Sequence, residues 1–301
     1  MLIVNFNSTE LLRESLSAVF ASHWAGEVEV IVVDNASEHF PVGQLGAEFP
    51  SVTWLPQPVN TSCTGGNNLA FERATGDVLL MLNPDTRIEA DAIANAVRHL
   101  ETSSDVVAVG AYFVDSLGHL QRQYYRRFPR FADLPVLLFE PVFGATRLGK
   151  WFLMTDAALG RETTVDHVAA ACLFVRRKVL KDWVMEPGYF NLLSDVDLSR
   201  HLATTGHIKV FDDVRCYHLG GGGGMGNRSV PARLRFLHDF TWGIRRYFRP
   251  EFNMLQRYAL EGMLLLYWIT RFGRVVVTAP RFGPQAAKVA FRALVGQPPR
   301  Y

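Results

Sequence analysis

The side chains best suited to chemistry are acids and amides that follow short apolar runs. Asp85 comes directly after the run Val78–Leu82, and Pro84 holds Asn83 in an extended conformation. A carboxylate placed this way can take a hard divalent cation, which typically binds one or two carboxylates plus substrate phosphates. It can equally cap a helix beginning near Ile88. A second acidic cluster is Asp195-Val196-Asp197-Leu198, with Arg200 shortly after. On a helix Asp195 and Asp197 do not share a face, so one can enter a cleft while the other pairs or caps. Both can also be solvated acids of a first turn, favoured by the helix dipole. His218 stands just before the run Gly220 to Gly224, which regular structure does not accommodate and which reads as a mobile loop. The stretch from Asn60 to Asn68 holds the pair Gly65-Gly66 before an expected helix, where glycine permits close backbone approach to a ligand.

These groups need a scaffold, and the apolar pattern supplies one. Runs at 2–4, 28–33, 78–82 and 106–109 are short and aliphatic, as in buried strands of a largely parallel sheet. Between the first two, Leu12, Leu16, Val19 and Phe20 make one helical face, with Asn7 as cap and Glu10 at capping-box spacing. Ile93, Val97 and Leu100 repeat the helical pattern. This alternation predicts an α/β fold. Polar residues then fall at the strand ends: Asn5-Phe6-Asn7-Ser8, Asp34-Asn35-Ala36-Ser37 and Asn83-Pro84-Asp85. Open α/β sheets bind ligands at that edge. Residues 111–164 are less regular and include an Arg-rich aromatic segment at 121–131. Strand character returns at 165–177, and 192–202 reads as a helix start.

The 301 residues are 49% hydrophobic and 20% charged, which excludes a disordered or collagen-like chain. The net charge of +2 hides an asymmetry. Residues 1–227 carry 18 Lys/Arg against 26 Asp/Glu, and residues 228–301 carry 13 against 3. An acidic domain with a basic, aromatic-rich helical extension is therefore expected. An extension of this kind suits an anionic membrane surface. No nucleic-acid motif accompanies it, so no nucleic acid is expected as a partner. Cys63, Cys172 and Cys216 show neither zinc spacing nor a disulfide framework, which suits a reducing compartment. No leader segment and no membrane-spanning run is read, so the expected location is cytoplasmic, at the inner face of the cell membrane.

Taken together, the segments resemble the family 2 inverting glycosyltransferases, specifically a rhamnosyltransferase-like branch with the GT-A fold. Val32-Val33-Asp34-Asn35-Ala36-Ser37 matches that branch's V-V-D-N-A-S, and Leu82-Asn83-Pro84-Asp85 its L-N-P-D form of the metal motif. The opening 4–8, the stretch 60–68, the acidic segment at 195–200 and His218 are similar to the remaining motifs. Ser194 departs from them, standing where the family has Glu. The resemblance implies a Rossmann-like, largely parallel central sheet flanked by helices over residues 1–227, with a C-terminal helical extension over 228–301. It implies a nucleoside-diphosphate sugar donor (dTDP- or UDP-linked, rhamnose first) held by Asn5, Asn7, Asp34, Asn60, Asn67 and Asn83. It also implies a divalent cation, Mg²⁺ or Mn²⁺, on Asp85 and His218, and Asp195 as general base. The acceptor, a lipid-linked or polysaccharide glycan of the cell envelope, would meet Arg126, Arg127 and Asp197.

Other classes fit less well. A glycosidase needs a carboxyl pair, one protonated and one not, flanking a glycosidic bond. A nucleotidyltransferase needs a glycine-rich basic phosphate loop near the first strand, where this chain has Asn5 and Asn7 and no basic residue before Arg13. A non-catalytic nucleotide-sugar-binding or scaffold protein is the remaining alternative, and Ser194 is the feature in its favour.

Overall fold

The computed structural model describes residues 1–155, 157, 159–218, 230–278, 288, 289, 291–293 and 295–299. The run Gly220 to Gly224, expected to be a mobile loop, lies outside the described residues. Two compact units emerge. The first comprises Met1–Phe128, Asp156–Pro187 and Asp195–Gly221, and the second Pro129–Thr155, Gly188–Ser194 and Gly222–Tyr301. The second unit therefore takes in segments from within the first 227 residues besides the basic C-terminal stretch.

The first unit is built on a mixed sheet. Strands β1 (Leu2–Asn5), β2 (Val30–Asp34), β3 (Val52–Pro56) and β4 (Val78–Leu82) run parallel in the order β3-β2-β1-β4. Nearly all apolar residues of β1, β2 and β4 are buried on both faces, as a sheet covered on each side requires, whereas the edge strand β3 leaves Trp54 and Leu55 half-buried. Beyond β4 come β5 (Thr86–Ile88) and β6 (Val106–Val114), then the short β7 (Tyr125–Arg126). They are followed by β8 (Glu162–Val165), β9 (His167–Val168), β10 (Cys172–Arg176) and β11 (His207–His218). The sheet continues from β4 as β10-β6-β11-β5, with β8 also on β11, while β7 and β9 form a separate antiparallel pair. Strand β10 is antiparallel to both β4 and β6, so it reverses an otherwise largely parallel order.

Helices α1 (Thr9–Phe20), α2 (Val42–Glu48), α3 (Ser62–Arg73) and α4 (Ala92–Thr102) connect the strands. Most of the apolar faces expected of α1 and α4 are buried, through Leu12, Leu16 and Val19 in α1 and Ile93 and Leu100 in α4, but Phe20 at the end of α1 is 44% exposed and Val97 is only half-buried. Several local expectations are corrected. Asn7 does not cap α1, because Ser8 precedes the helix and Asn7 lies at φ +51° with its side chain turned to another loop. Asp85 caps no helix, since Thr86–Ile88 is a strand paired with β11 and α4 begins only at Ala92. Gly65 and Gly66 lie inside α3 rather than before it, and a Cβ on Gly66 would come within 2.7 Å of Val4. That glycine serves close helix–strand packing.

In the second unit, α5 (Leu134–Leu138), α6 (Glu140–Phe143) and α7 (Arg147–Phe152) are short. Helix α8 (Ser194–Leu202) starts at the last residue of the segment Gly188–Ser194 of this unit, and its remaining residues belong to the first. The long helices α9 (Val230–Phe248) and α10 (Met254–Thr278) form the C-terminal part. Arg245 of α9, almost fully buried, is clamped by Glu261 of α10 at 2.8 Å. Among the described residues, no helix is long and apolar enough to cross a membrane.

Candidate functional site

The expected donor end of the site grows from the carboxyl ends of β1 and β2. Asn5 and Asp34 are directly opposite in the parallel register, so their side chains meet across the ladder. Asn5 Nδ2 donates to Asp34 Oδ1 at 2.7 Å. Ser37 Oγ donates to the same oxygen at 2.6 Å, and Ser37 N donates to Oδ2 at 3.0 Å. Ser37 Oγ also accepts from Asn7 N at 2.8 Å, while Asn7 Oδ1 accepts from Glu38 N at 2.9 Å. Asn7 and Ala36 both occupy the left-handed region, at φ +51° and +60°. Strain of this kind, on the order of 1–3 kcal/mol per residue, persists only where the surroundings over-determine it and clusters at ligand sites. Asn5 is fully buried, yet its Oδ1 has no hydrogen-bond partner.

Asn35, a strand-end residue to which the motifs assign no role of its own, forms a hub. Its Nδ2 donates to Ser62 O at 2.7 Å, and its Oδ1 accepts from Thr61 N and Thr61 Oγ1. It thereby ties the loop after β2 to the start of α3, where Ser62 sits at φ +76°. Two of the expected nucleotide contacts, Asn60 and Asn67, also bond local backbone. Asn60 Oδ1 accepts from Ser62 N, and Asn67 Nδ2 donates to Cys63 O. Asn83 keeps its place at the end of β4, with its N–H donating to Ala171 O and its carbonyl accepting from Thr86 Oγ1.

Asp85 and His218 are brought together by the antiparallel pairing of β5 with β11, in which His218 faces Thr86. His218 Nε2 lies 3.4 Å from Asp85 Oδ1, and both side chains are largely buried. The other ring nitrogen meets Tyr124 Oη at 2.8 Å, which orients the imidazole. Burial lowers the His218 pKa, opposed by the Asp85 carboxylate. Among the described residues, no group of three or more His, Cys, Asp or Glu side chains could hold a metal. A carboxylate with an imidazole nevertheless suits Mg²⁺ or Mn²⁺ whose other positions are filled by phosphate oxygens and water.

The expected base end, around Asp195, is made differently. Asp195 lies in the first turn of α8, where the helix dipole favours a negative charge. Its Oδ1 accepts from Val196 N at 2.9 Å. Its side chain is 29% exposed, and Oδ2 lies 3.8 Å from Nε2 of the buried His167 on β9. Asp197 instead pairs with Arg200 of the same helix, at 3.9 Å. Arg126 on β7 is opposite His167 in the β7–β9 register, and its Nε is buried without a hydrogen-bond partner. Arg127 follows it in the chain, beyond the two-residue strand. Ser194, where Glu was expected, is buried and donates to Asn191 O at 2.7 Å. His167 and Tyr124 escaped the sequence reading, because neither stands in a recognisable strand-end motif.

The approach to α8 is fixed within the second unit. Asp239 of α9 accepts from Asn191 N at 3.2 Å and Leu192 N at 3.3 Å. Burial pushes this carboxyl up to about 6. Trp242 Nε1 donates to Gly188 O, and Gly243 leaves room for the Leu192 carbonyl, which a Cβ would meet at 2.5 Å.

Fold and site together define an α/β protein of GT-A architecture with its polar residues at the carboxyl ends of the parallel strands. The model of "Glycosyl transferase family 2" matches residues 1–183, more than half of the chain, and the chain belongs to that family. It is 30% identical over 132 residues to the uncharacterized glycosyltransferase YfnE of Bacillus subtilis (strain 168). That alignment covers 42% of this chain and 32% of YfnE, so the chain matches about a third of that relative's length. Its fold is similar to that of the mannosyltransferase PcManGT from Pyrobaculum calidifontis in complex with GDP-Man and Mn²⁺. The TM-score is 0.52 at 18% identity, covering 98% of this chain and 79% of the other. TarS 1-349 of S. aureus in complex with UDP gives 0.50 at 13% identity, covering 97% and 80%.

Proposed function

We propose that the chain is a divalent-cation-dependent inverting glycosyltransferase. It would move a sugar, rhamnose first, from a nucleoside diphosphate to a lipid-linked or polysaccharide glycan of the cell envelope. The observation that carries this reading is the pair Asp85–His218 at 3.4 Å on the same domain as the partly exposed Asp195. The V-V-D-N-A-S and L-N-P-D resemblance favours rhamnose. In this reading Asp34, Asn5 and Asn7 line the nucleoside pocket. Asp85 and His218 hold the cation, which when bound supplies positive charge to the diphosphate.

Asp195 acts as general base. Its Oδ2 takes the proton of the acceptor hydroxyl as that oxygen bonds to the anomeric carbon. The bond from that carbon to the diphosphate oxygen breaks, and its electron pair leaves with the nucleoside diphosphate. Attack opposite the leaving group inverts the centre. Arg126, half-buried and without a hydrogen bond at Nε, offers its charge to an anionic group of the acceptor.

The test is a thermal-shift screen of nucleoside diphosphates and their sugars, with and without Mn²⁺ or Mg²⁺. Nucleoside diphosphate release is then assayed with the donor found. Asp195→Asn is expected to lower turnover about 1,000-fold with donor affinity kept. Turnover near that of the parent removes Asp195 from the base role. No stabilisation by any nucleotide in the presence of metal removes the donor reading.

We also infer an anionic membrane surface as partner of the second unit. Leu255, Tyr258, Leu265, Leu266 and Ile269 recur at helical spacing along α10 and are all more than half exposed. The basic excess of residues 228–301 supplies the matching charge. Co-sedimentation with vesicles containing phosphatidylglycerol, but not with phosphatidylcholine vesicles alone, is expected and is lost in the double variant Leu265→Asp, Ile269→Asp. Equal binding to both vesicle types overturns the electrostatic part.

A further inference from the structure

We propose that His167 is a positioning residue for Asp195, poised to accept a hydrogen bond from the carboxyl proton that Asp195 takes from the acceptor. This rests on the reading of Asp195 as base and goes beyond it by assigning the neighbour that receives that proton's hydrogen bond.

The protons around the ring fix its tautomer. Ser199 Oγ lies 2.8 Å from Asp195 O, a carbonyl that can only accept, so the one hydroxyl proton of Ser199 is directed there. The same Oγ lies 3.1 Å from His167 Nδ1. With its proton committed, Oγ can only accept from the ring, so Nδ1 carries the hydrogen. In a neutral imidazole Nε2 is then a bare acceptor.

Nε2 faces Asp195 Oδ2 across 3.8 Å. Two acceptors separated by that gap are not hydrogen-bonded, because no proton lies between them. The other carboxylate oxygen, Oδ1, is engaged by Val196 N. A proton arriving on Oδ2 from the acceptor hydroxyl supplies what the gap lacks, and once the carboxyl closes on the ring by about 1 Å the new Oδ2–H can donate to Nε2.

The surroundings keep the ring in its accepting state. His167 is 2% exposed and lies on β9, opposite Arg126 of β7. Burial depresses the imidazole to about 4, and the Arg126 charge adds to this while Asp195 opposes it. At neutral pH the ring is therefore uncharged. Its burial bars it from reaching an acceptor hydroxyl itself, whereas Asp195 is partly exposed. The sequence of events is balanced. The proton moves from the acceptor oxygen to Asp195, His167 stabilises that protonated carboxyl, and the proton passes to water after the glycoside leaves.

The first experiment needs no substrate. Long-range proton–nitrogen spectra of the full chain labelled with ¹⁵N-histidine, assigned with His167→Gln, are expected to show the Nδ1–H tautomer at pH 7. An Nε2–H tautomer overturns the proposal. The second uses turnover with the donor found above. His167→Phe is expected to lower kcat about 10-fold and to move the acid limb of its pH profile downward, with donor KM unchanged. His167→Gln, whose amide oxygen can accept the same proton, is expected to retain most of the activity. A merely structural His167 would lower thermal stability and leave the acid limb in place, and that result overturns the proposal. Loss of the base reading itself is seen separately, as an active Asp195→Asn.

Discussion

The proposed donor end and the proposed base end of this site are built on opposite plans. At the donor end, Asn5 and Asp34 sit on neighbouring parallel strands in exact register, and the loops after them close on one another through Ser37 and Asn35. Every residue there lies within a few positions of a strand end. At the base end, Arg126, His167 and Asp195 come from separate stretches joined by a two-residue strand pair and the first turn of α8. The donor end is held by many short hydrogen bonds, and the base end by fewer contacts around a buried ring. A rigid frame suits a ligand bound the same way each time. A base that must gain and lose a proton suits a looser setting with an unfilled hydrogen-bond position.

The largest expected effect probes the donor hub. Asn35→Ala removes three hydrogen bonds, to Ser62 O, Thr61 N and Thr61 Oγ1, at a side chain that is almost fully buried. At about 1 kcal/mol for each bond, the expected loss of stability is about 3 kcal/mol, read from the urea midpoint. Donor affinity should fall with it, since the loop after β2 loses its tie to α3. A change below about 0.5 kcal/mol, the range of ordinary surface substitutions, would break the contrast by showing that the hub holds nothing.

The next effect is pH dependence, where two buried groups, His167 in the first unit and Asp239 in the second, pull in opposite directions. His167 has its folded pKa depressed to about 4 from 6.5, so the folded state binds fewer protons than the unfolded chain between those values. Its contribution is fully present above 6.5 and is lost as pH falls toward 4. Asp239 has its folded pKa raised to about 6 from 3.8, so its contribution is present below 3.8 and is lost as pH rises through 6. Each shift corresponds to about 3 kcal/mol at most, and between pH 4 and 6 the two nearly cancel. In Asp239→Asn only the histidine remains, and unfolding free energy should rise from pH 4 to 6. In His167→Phe only the aspartate remains, and it should fall over the same window. Parallel profiles for the two variants would refute the opposition.

The same contrast explains what the sequence revealed. The donor end was legible because the acids and amides follow apolar runs directly, so strand periodicity alone places Asn5, Asp34, Asn83 and Asp85 on one edge. The helical faces of α1 and α4 were legible for the same reason, through Leu12, Leu16, Ile93 and Leu100. Strand β3 was not, because Trp54 and Pro56 interrupt a short edge strand that lacks an aliphatic run. The reversed direction of β10 is not written in its own residues, since Cys172–Arg176 would read alike in either orientation. Asn7 looked like a helix cap by position, yet its side chain serves the loop after β2. His167 was invisible because its meaning lies in Ser199 and Asp195, roughly thirty positions away, and no local pattern encodes such a pairing.

The smallest expected effect tests whether the base end is as lightly held as this contrast requires. Ser199→Ala removes one hydroxyl that donates to Asp195 O and accepts from His167 Nδ1. The Asp195 carbonyl keeps an acceptor role within the helix ladder, so the stability loss should be about 1 kcal/mol, a single net hydrogen bond. Tautomer populations of the ring should respond more than stability does. Without the Ser199 oxygen, Nδ1–H loses its acceptor, and the Nε2–H form, able to donate to the Asp195 carboxylate, gains population. A loss of stability as large as that of Asn35→Ala would place the base end on the same footing as the donor end. An unchanged tautomer would show that Ser199 does not set the ring's orientation.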